Sequence, residues 1–251
     1  MTRWTAFATH LGLSFIVFLA LAYLVVFVWY PGILFDTDGG WRGMRIIVAV
    51  DLVLGPVLTL AVFKPGKPGL KTDLTIIGVL QTVCLVAGTY IVWAEKPEAI
   101  IYVDGRFQTV TVDDFRDNGL PGTPDLDHLD AGNPKWVLVE VPTDPNELAD
   151  FRAEVFKRRV TPIAAVGRYV AFDPRHPQFV NQPRDLGKLA ATPQGAQAIA
   201  AFAAEHGPID AYDFYLFTTR YVYTYAAFDR ETGEMVGLLD LPQRQSGADQ
   251  A

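Results

Sequence analysis

Cysteine is nearly missing from this sequence. The 251 residues include one, Cys84, so no intramolecular disulfide can form and no thiolate metal site can be assembled. It lies inside an apolar run and reads as a small packing residue. Histidine is scarce as well: His10, His128, His176 and His206 are the four, and no two stand at metal-ligand spacing. There is no G-x-S-x-G elbow, no Walker A loop and no dinucleotide fingerprint. Nothing in the residue pattern therefore points to an enzyme, a cofactor or a metal. The segment PDLDHLD offers Asp125, Asp127, His128 and Asp130 as ligands for a hard cation, but it lacks the EF-hand pattern and reads as a solvated acidic loop.

Charge is scarce in one part only. Residues 1–96 hold seven basic and five acidic side chains, whereas residues 97–251 hold fourteen and 23. The acidic second part argues against nucleic acid as a partner, because phosphate neutralisation needs clustered Lys and Arg. It marks a solvated domain.

Three apolar runs fill the first part, at about residues 11–30, 46–63 and 74–93. The first and third carry no charge and the second carries one, and each can span roughly 30 Å of hydrocarbon as a helix. The pattern predicts a membrane region over 1–96 with three transmembrane helices. The first run exceeds the usual signal-peptide core and no A-x-A site follows, so it is expected to stay as an uncleaved anchor. Arg3 precedes it, and Lys64, Lys67 and Lys71 crowd the second connector. The first connector balances Asp36 and Asp38 against Arg42 and Arg45. This bias predicts a cytoplasmic N-terminus and, after three crossings, a periplasmic C-terminal domain. Trp29, Tyr30, Trp41 and Trp93 then fall near the outer interface.

The second run is unusual for its Asp51 and its Gly55-Pro56 pair. A carboxylate in hydrocarbon costs at least a few kcal/mol unless it finds a partner or a water-filled cavity. A proline in a helix leaves one carbonyl without its donor. Two readings stand side by side. Asp51 either serves a docking site that Gly55 and Pro56 open to another helix, or it is paired within the chain or, only about 9 Å along the helix from Arg45, reaches the outer headgroup region, with Gly55 and Pro56 as local kink chemistry. The predicted topology puts it in the outer half of its helix.

Residues 97–242 alternate strand and helix signals and are expected to form a small α+β domain with a largely antiparallel sheet. Asp104-Gly105 is a hairpin dipeptide between strands at 100–103 and 107–112. Residues 117–135 read as a long loop, and 136–141 as a buried strand. Asp144, Pro145 and Glu147 resemble a helix start. A strand is expected over 163–172 and an alanine-rich helix from Thr192 to Gly207. Strands follow at 212–217, 221–228 and 234–241, and residues 243–251 make a polar tail. In the aromatic series from Tyr212 to Tyr225, alternation sends about half of the rings inward. Tyr221, Tyr223 and Tyr225 are candidates for an exposed docking surface.

Several stretches carry a resemblance. The opening RWTAFATHLGLSFIVF, the WYPG at Trp29 to Gly32, the DGGW at Asp38 to Trp41 and the VDLVLGPVLTL at Val50 to Leu60 resemble the TfpX/TfpZ type IV pilin accessory proteins. So do KTDLTIIGVLQ at Lys71 to Gln81 and the closing DRETGEMVGLLD. The resemblance implies a bacterial inner-membrane protein that assists type IV pilus assembly by acting on the major pilin, without catalysis. It carries over no site residues. Joined to the residue pattern, it yields an expectation. Asp51, Gly55 and Pro56 would meet the pilin's transmembrane helix in the lipid bilayer, while Tyr221, Tyr223 and Tyr225 would meet its periplasmic head. The competing expectation is a membrane-anchored sensor with a periplasmic ligand-binding domain, although its short Lys-rich connector leaves little room for a cytoplasmic output.

Overall fold

A computed structural model describes residues 2–241. The expected polar tail at 243–251 lies outside the described residues. The chain divides into two compact units, Met1–Lys96 and Pro97–Ala251.

The first unit holds three helices long and apolar enough to cross a membrane: α1 (Arg3–Trp29), α2 (Gly40–Val62) and α3 (Leu70–Ala94). They outrun the apolar runs because local chemistry sets their ends. The Thr2 hydroxyl accepts from the Thr5 amide at 3.2 Å and caps α1. Gly39 and Gly69, at φ 100° and 80°, turn the chain into α2 and α3. Helix α2 lies between the others, and α1 and α3 pack along it while meeting each other only sparsely. Gly43 lets α3 come close, since a Cβ there would stand 2.7 Å from Val92. Val25, Leu34, Met44 and Ile47 are buried in the unit, whereas Leu13, Ile16, Leu19, Ile76, Val79 and Val83 are exposed. Exposed apolar side chains on such helices are what a lipid solvent favours.

The second unit is a seven-stranded mixed sheet with strands β1 (Ala99–Val103), β2 (Arg106–Val110), β3 (Trp136–Val139), β4 (Tyr169–Ala171), β5 (Tyr212–Thr218), β6 (Tyr223–Asp229) and β7 (Met235–Leu238). Their order is β4-β3-β1-β2-β5-β6-β7. The β1–β2 hairpin turns on Asp104 and Gly105, both at positive φ as the dipeptide predicts. β3 joins β1 in parallel and β5 joins β2 in parallel, while the other four pairings are antiparallel. The largely antiparallel α+β expectation holds, with two parallel joints that local turn signals do not encode.

The sheet is covered on both faces. Tyr102, Phe107, Phe217, Tyr215 and Phe228 share one face with Phe172 and Phe179, and the Phe179 and Tyr215 rings stack at 3.9 Å. On the other face Ile101, Val103, Val110 and Val139 pack with Phe115 and Ile163. Farther along it, Tyr212, Phe214 and Ala227 pack with Leu186 and Phe202. Phe115 comes from α4 (Val112–Asp117), and a Thr111–Asp114 capping box starts that helix. Phe202 comes from α6 (Pro193–His206), which follows α5 (Pro145–Arg158).

Two local expectations are corrected. The run 163–172 is strand only at Tyr169–Ala171, because Pro162 opens a 3-10 turn and a second such turn follows at Val166–Arg168. In β5 the rings on both faces are buried rather than half of them, since a central strand covered on both sides has no outer face.

Candidate functional site

Polar residues inside apolar helices are costly, so the places where they meet are informative. In the first unit one cluster of them is drawn from all three helices. Ser14 of α1, Asp51 of α2 and Gln81 of α3 each stand eleven residues in from the first residue of their helix. Asp51 is also eleven residues from Val62, which places it at the middle of α2, about 16 Å from either end on a rise of 1.5 Å per residue. The helix α2 begins at Gly40, six residues before its apolar run.

Asp51 is 3% exposed. The Ser14 hydroxyl donates to Asp51 Oδ1 at 3.2 Å. Gln81 Nε2 donates to the same oxygen and lies 3.3 Å from Ser14 Oγ. Asp51 is thus paired within the chain, one of the readings weighed for it. One turn back along α1 and about two turns on along α2, His10 Nδ1 hydrogen-bonds Thr59 Oγ1 at 2.6 Å. Two buried acceptors, Asp51 Oδ2 and Gln81 Oε1, have no hydrogen-bond partner among the described residues.

The backbone explains how Gln81 gets in. From Val48 to Leu54 α2 is wound as a π-helix, and the Gly55 amide reaches back five residues to the Val50 carbonyl. In that register the donor due at the Asp51 carbonyl is residue 56, which is a proline without an N–H. Gln81 Nε2 supplies a contact there at 3.4 Å. Gly55 makes the room, since a Cβ on it would collide with the Gln81 amide. Asp51, Gly55 and Pro56 are thus brought together around a third helix of the same chain. Ser14 and Gln81 escaped the sequence reading. Their signal was that each is a polar side chain within an otherwise uncharged apolar run.

In the second unit the tyrosines separate. Tyr221 lies in the β5–β6 turn with the Arg220 guanidinium 5.8 Å above its ring. Tyr223 is 59% exposed and Tyr225 is partly buried. Both line an apolar groove of about 680 Å³ with Leu189, Thr192, Gly195 and Leu241. Burial pushes the Tyr225 phenol pKa up, and it does so more strongly for Tyr102, Tyr169 and Tyr215. In the acidic loop Asp127 faces Lys135 at 3.5 Å and Asp125 caps the Asp127 amide. Among the described residues no three His, Cys, Asp or Glu side chains converge as metal ligands.

Comparison with known proteins locates this chain near fimbrial assembly proteins of Dichelobacter nodosus. It is 31% identical over 115 residues to the one from serogroup E1, a stretch covering 45% of this chain and 44% of that protein. It is 30% identical to the serogroup I protein with the same coverage. The serogroup C1 and C2 protein is 29% identical over 115 residues, which make up 87% of its length. No model of a known family matches the chain. No solved structure matches it either. Over less than half of its length, then, the chain is similar to proteins named for fimbrial assembly.

Proposed function

We propose that this chain is an assembly factor for type IV pili that binds the major pilin and promotes its incorporation, without catalysis. The observation that carries the reading is the similarity to fimbrial assembly proteins over 115 residues, and the motif resemblance to pilin accessory proteins agrees with it. In this reading the three helices cross the bacterial inner membrane with the N-terminus in the cytoplasm, and the sheet domain stands in the periplasm. The protein works as a chaperone for a subunit waiting in the bilayer. Asp51, Gly55 and Pro56 shape the helices that receive the pilin helix, and Tyr221, Tyr223 and Tyr225 contact the pilin head. An exposed tyrosine beside an apolar groove suits such a contact, because tyrosine anchors interfaces at low entropic cost.

The test is co-purification of the tagged chain with the major pilin from detergent, together with a count of surface pili in a strain lacking the gene. Pilin in the eluate and a loss of pili are the expected results. Unchanged piliation with no pilin recovered overturns the reading.

A further inference from the structure

Helix α5 belongs to the sheet domain without fully burying a single residue. Leu148, Phe151 and Val155 are its partly buried face, whereas α6, of the same length, buries Gly195, Ala198 and Phe202. On the outward side stands Phe156, 84% exposed and more open than any other large apolar side chain among the described residues. The apolar side chains of the three long helices reach only 66%. A phenylalanine ring kept in water forgoes the transfer free energy that its burial would release. Phe156 is therefore a feature that the fold itself does not use.

The charges around this ring are sorted. At 3.6 residues per turn, Arg152 and Lys157 stand about 40° and 100° from Phe156 around the helix axis, while Glu147, Asp150 and Glu154 stand about 120° to 180° away. Arg158 and Arg159 follow at the end of the helix. Four of the fourteen basic residues of 97–251 thus fall within eight positions, in a part that carries 23 acidic ones. None of the four forms an ion pair among the described residues. Unpaired cations beside an exposed aromatic ring fit an anionic lipid surface, where the ring enters the headgroup layer and the cations meet phosphates. Connectivity favours that occupant over a protein. Only residues 95–98 separate the end of α3 from the start of β1, a stretch that spans at most about 17 Å. A bilayer crossed by α3 is thus tethered beside this domain at all times, whereas any other partner must first be encountered.

We propose that the outward face of α5 is a lipid-contact surface, with Phe156 entering the headgroup layer of an anionic membrane and Arg152 and Lys157 pairing with its phosphates. The inference rests on the part of the assembly reading that puts α3 across a membrane, and it requires no pilin. The lipid class follows from the sign of the cluster: a zwitterionic surface offers the ring a place but gives the four cations little net attraction.

The test uses the full-length protein in nanodiscs of phosphatidylcholine with or without phosphatidylglycerol, in a Cys84→Ser background. A fluorophore is attached at Ala153→Cys, about 60° from Phe156, or at Glu154→Cys, about 160° from it. Quenching by lipid spin-labelled near the headgroup reports contact. With phosphatidylglycerol present, quenching at position 153 should exceed that at 154 several-fold. It should fall several-fold without phosphatidylglycerol, and also in about 1 M salt, where the screening length shrinks to about 3 Å. Phe156→Ser, and Arg152→Gln combined with Lys157→Gln, should each lower it several-fold while the melting temperature stays at the parent value, since all three side chains are exposed. Equal quenching at the two positions, indifference to phosphatidylglycerol, or an unchanged signal in Phe156→Ser overturns the proposal. A label at 153 that is shielded only when the major pilin is added assigns the face to a protein partner and overturns it as well. Recovery of pilin with the tagged chain is a separate measurement, so the assembly reading and the lipid contact can each fail alone.

Discussion

Gln81 reaches from α3 to Asp51 in the middle of α2 and touches it twice, donating to the carboxylate and approaching the main-chain carbonyl at 3.4 Å. A single amide thus answers the costliest side chain in the first unit and the carbonyl that Pro56 leaves without a helical donor.

Gln81→Leu removes that amide while keeping the bulk. The buried carboxylate then retains Ser14 alone, and a stability loss of roughly 1–3 kcal/mol is expected. Thermal unfolding in detergent measures it. If the two residues act as a pair, Asp51→Asn in the Gln81→Leu background should cost less than in the parent, and a double-mutant cycle reads the coupling. Additive losses would dissolve the pairing.

Gly55→Ala tests the close approach independently. A methyl group at this position overlaps the Gln81 amide, whereas Gly12 and Gly78 have nothing within 4 Å of an added Cβ. Gly55→Ala should lower the melting temperature in detergent. Gly12→Ala and Gly78→Ala should leave it unchanged or raise it, since alanine favours a helix over glycine by up to about 1 kcal/mol.

The buried phenols set the alkaline limit of the sheet domain. Burial raises the pKa values of Tyr102, Tyr169 and Tyr215 above the ordinary tyrosine value. A raised folded-state pKa gives stability that is complete below the unfolded value, about 10, and is lost as pH rises beyond it. Ultraviolet titration should show exposed tyrosines ionising first, with the remaining phenolate signal appearing together with the loss of near-ultraviolet dichroism. Tyr169→Phe should move that unfolding to higher pH; an unmoved transition would remove Tyr169 from the account.

Acid probes the β6–β7 turn. Asp229 accepts backbone hydrogen bonds from Thr232 and Glu231 at 2.8 and 2.9 Å, which hold its carboxyl pKa below the usual value. A depressed pKa gives stability that is present above about pH 4 and is lost as pH falls through the folded value. Asp229→Ala should therefore lower the melting temperature at pH 7 more than at pH 3. An equal loss at both would assign the effect to turn geometry alone.

Much of this architecture was legible from residue patterns. The three apolar runs specify helices because each is about twice the length of a membrane strand and a helix satisfies its backbone within one segment, and Asp104-Gly105, Asp144-Pro145 and Thr192-Pro193 announce a hairpin and two helix starts through local chemistry. The parallel joints β1–β3 and β2–β5 were not legible, because partners far apart in sequence are chosen by the whole core. The site was half legible. Asp51 drew attention as a charge, but its neighbours Ser14 and Gln81 are neutral, and their meeting depends on how three helices rotate against one another. The π register that leaves the Asp51 carbonyl to Gln81 has no local signature beyond Pro56.

Gln81 has a further consequence for biosynthesis. It belongs to the last of the three helices to leave the ribosome, so a chain that has made only α1 and α2 holds the Asp51 carboxylate with the Ser14 hydroxyl as its one partner from this cluster. The third helix therefore closes the first unit chemically as well as spatially, and a chain ending before Leu70 lacks the amide that answers Asp51.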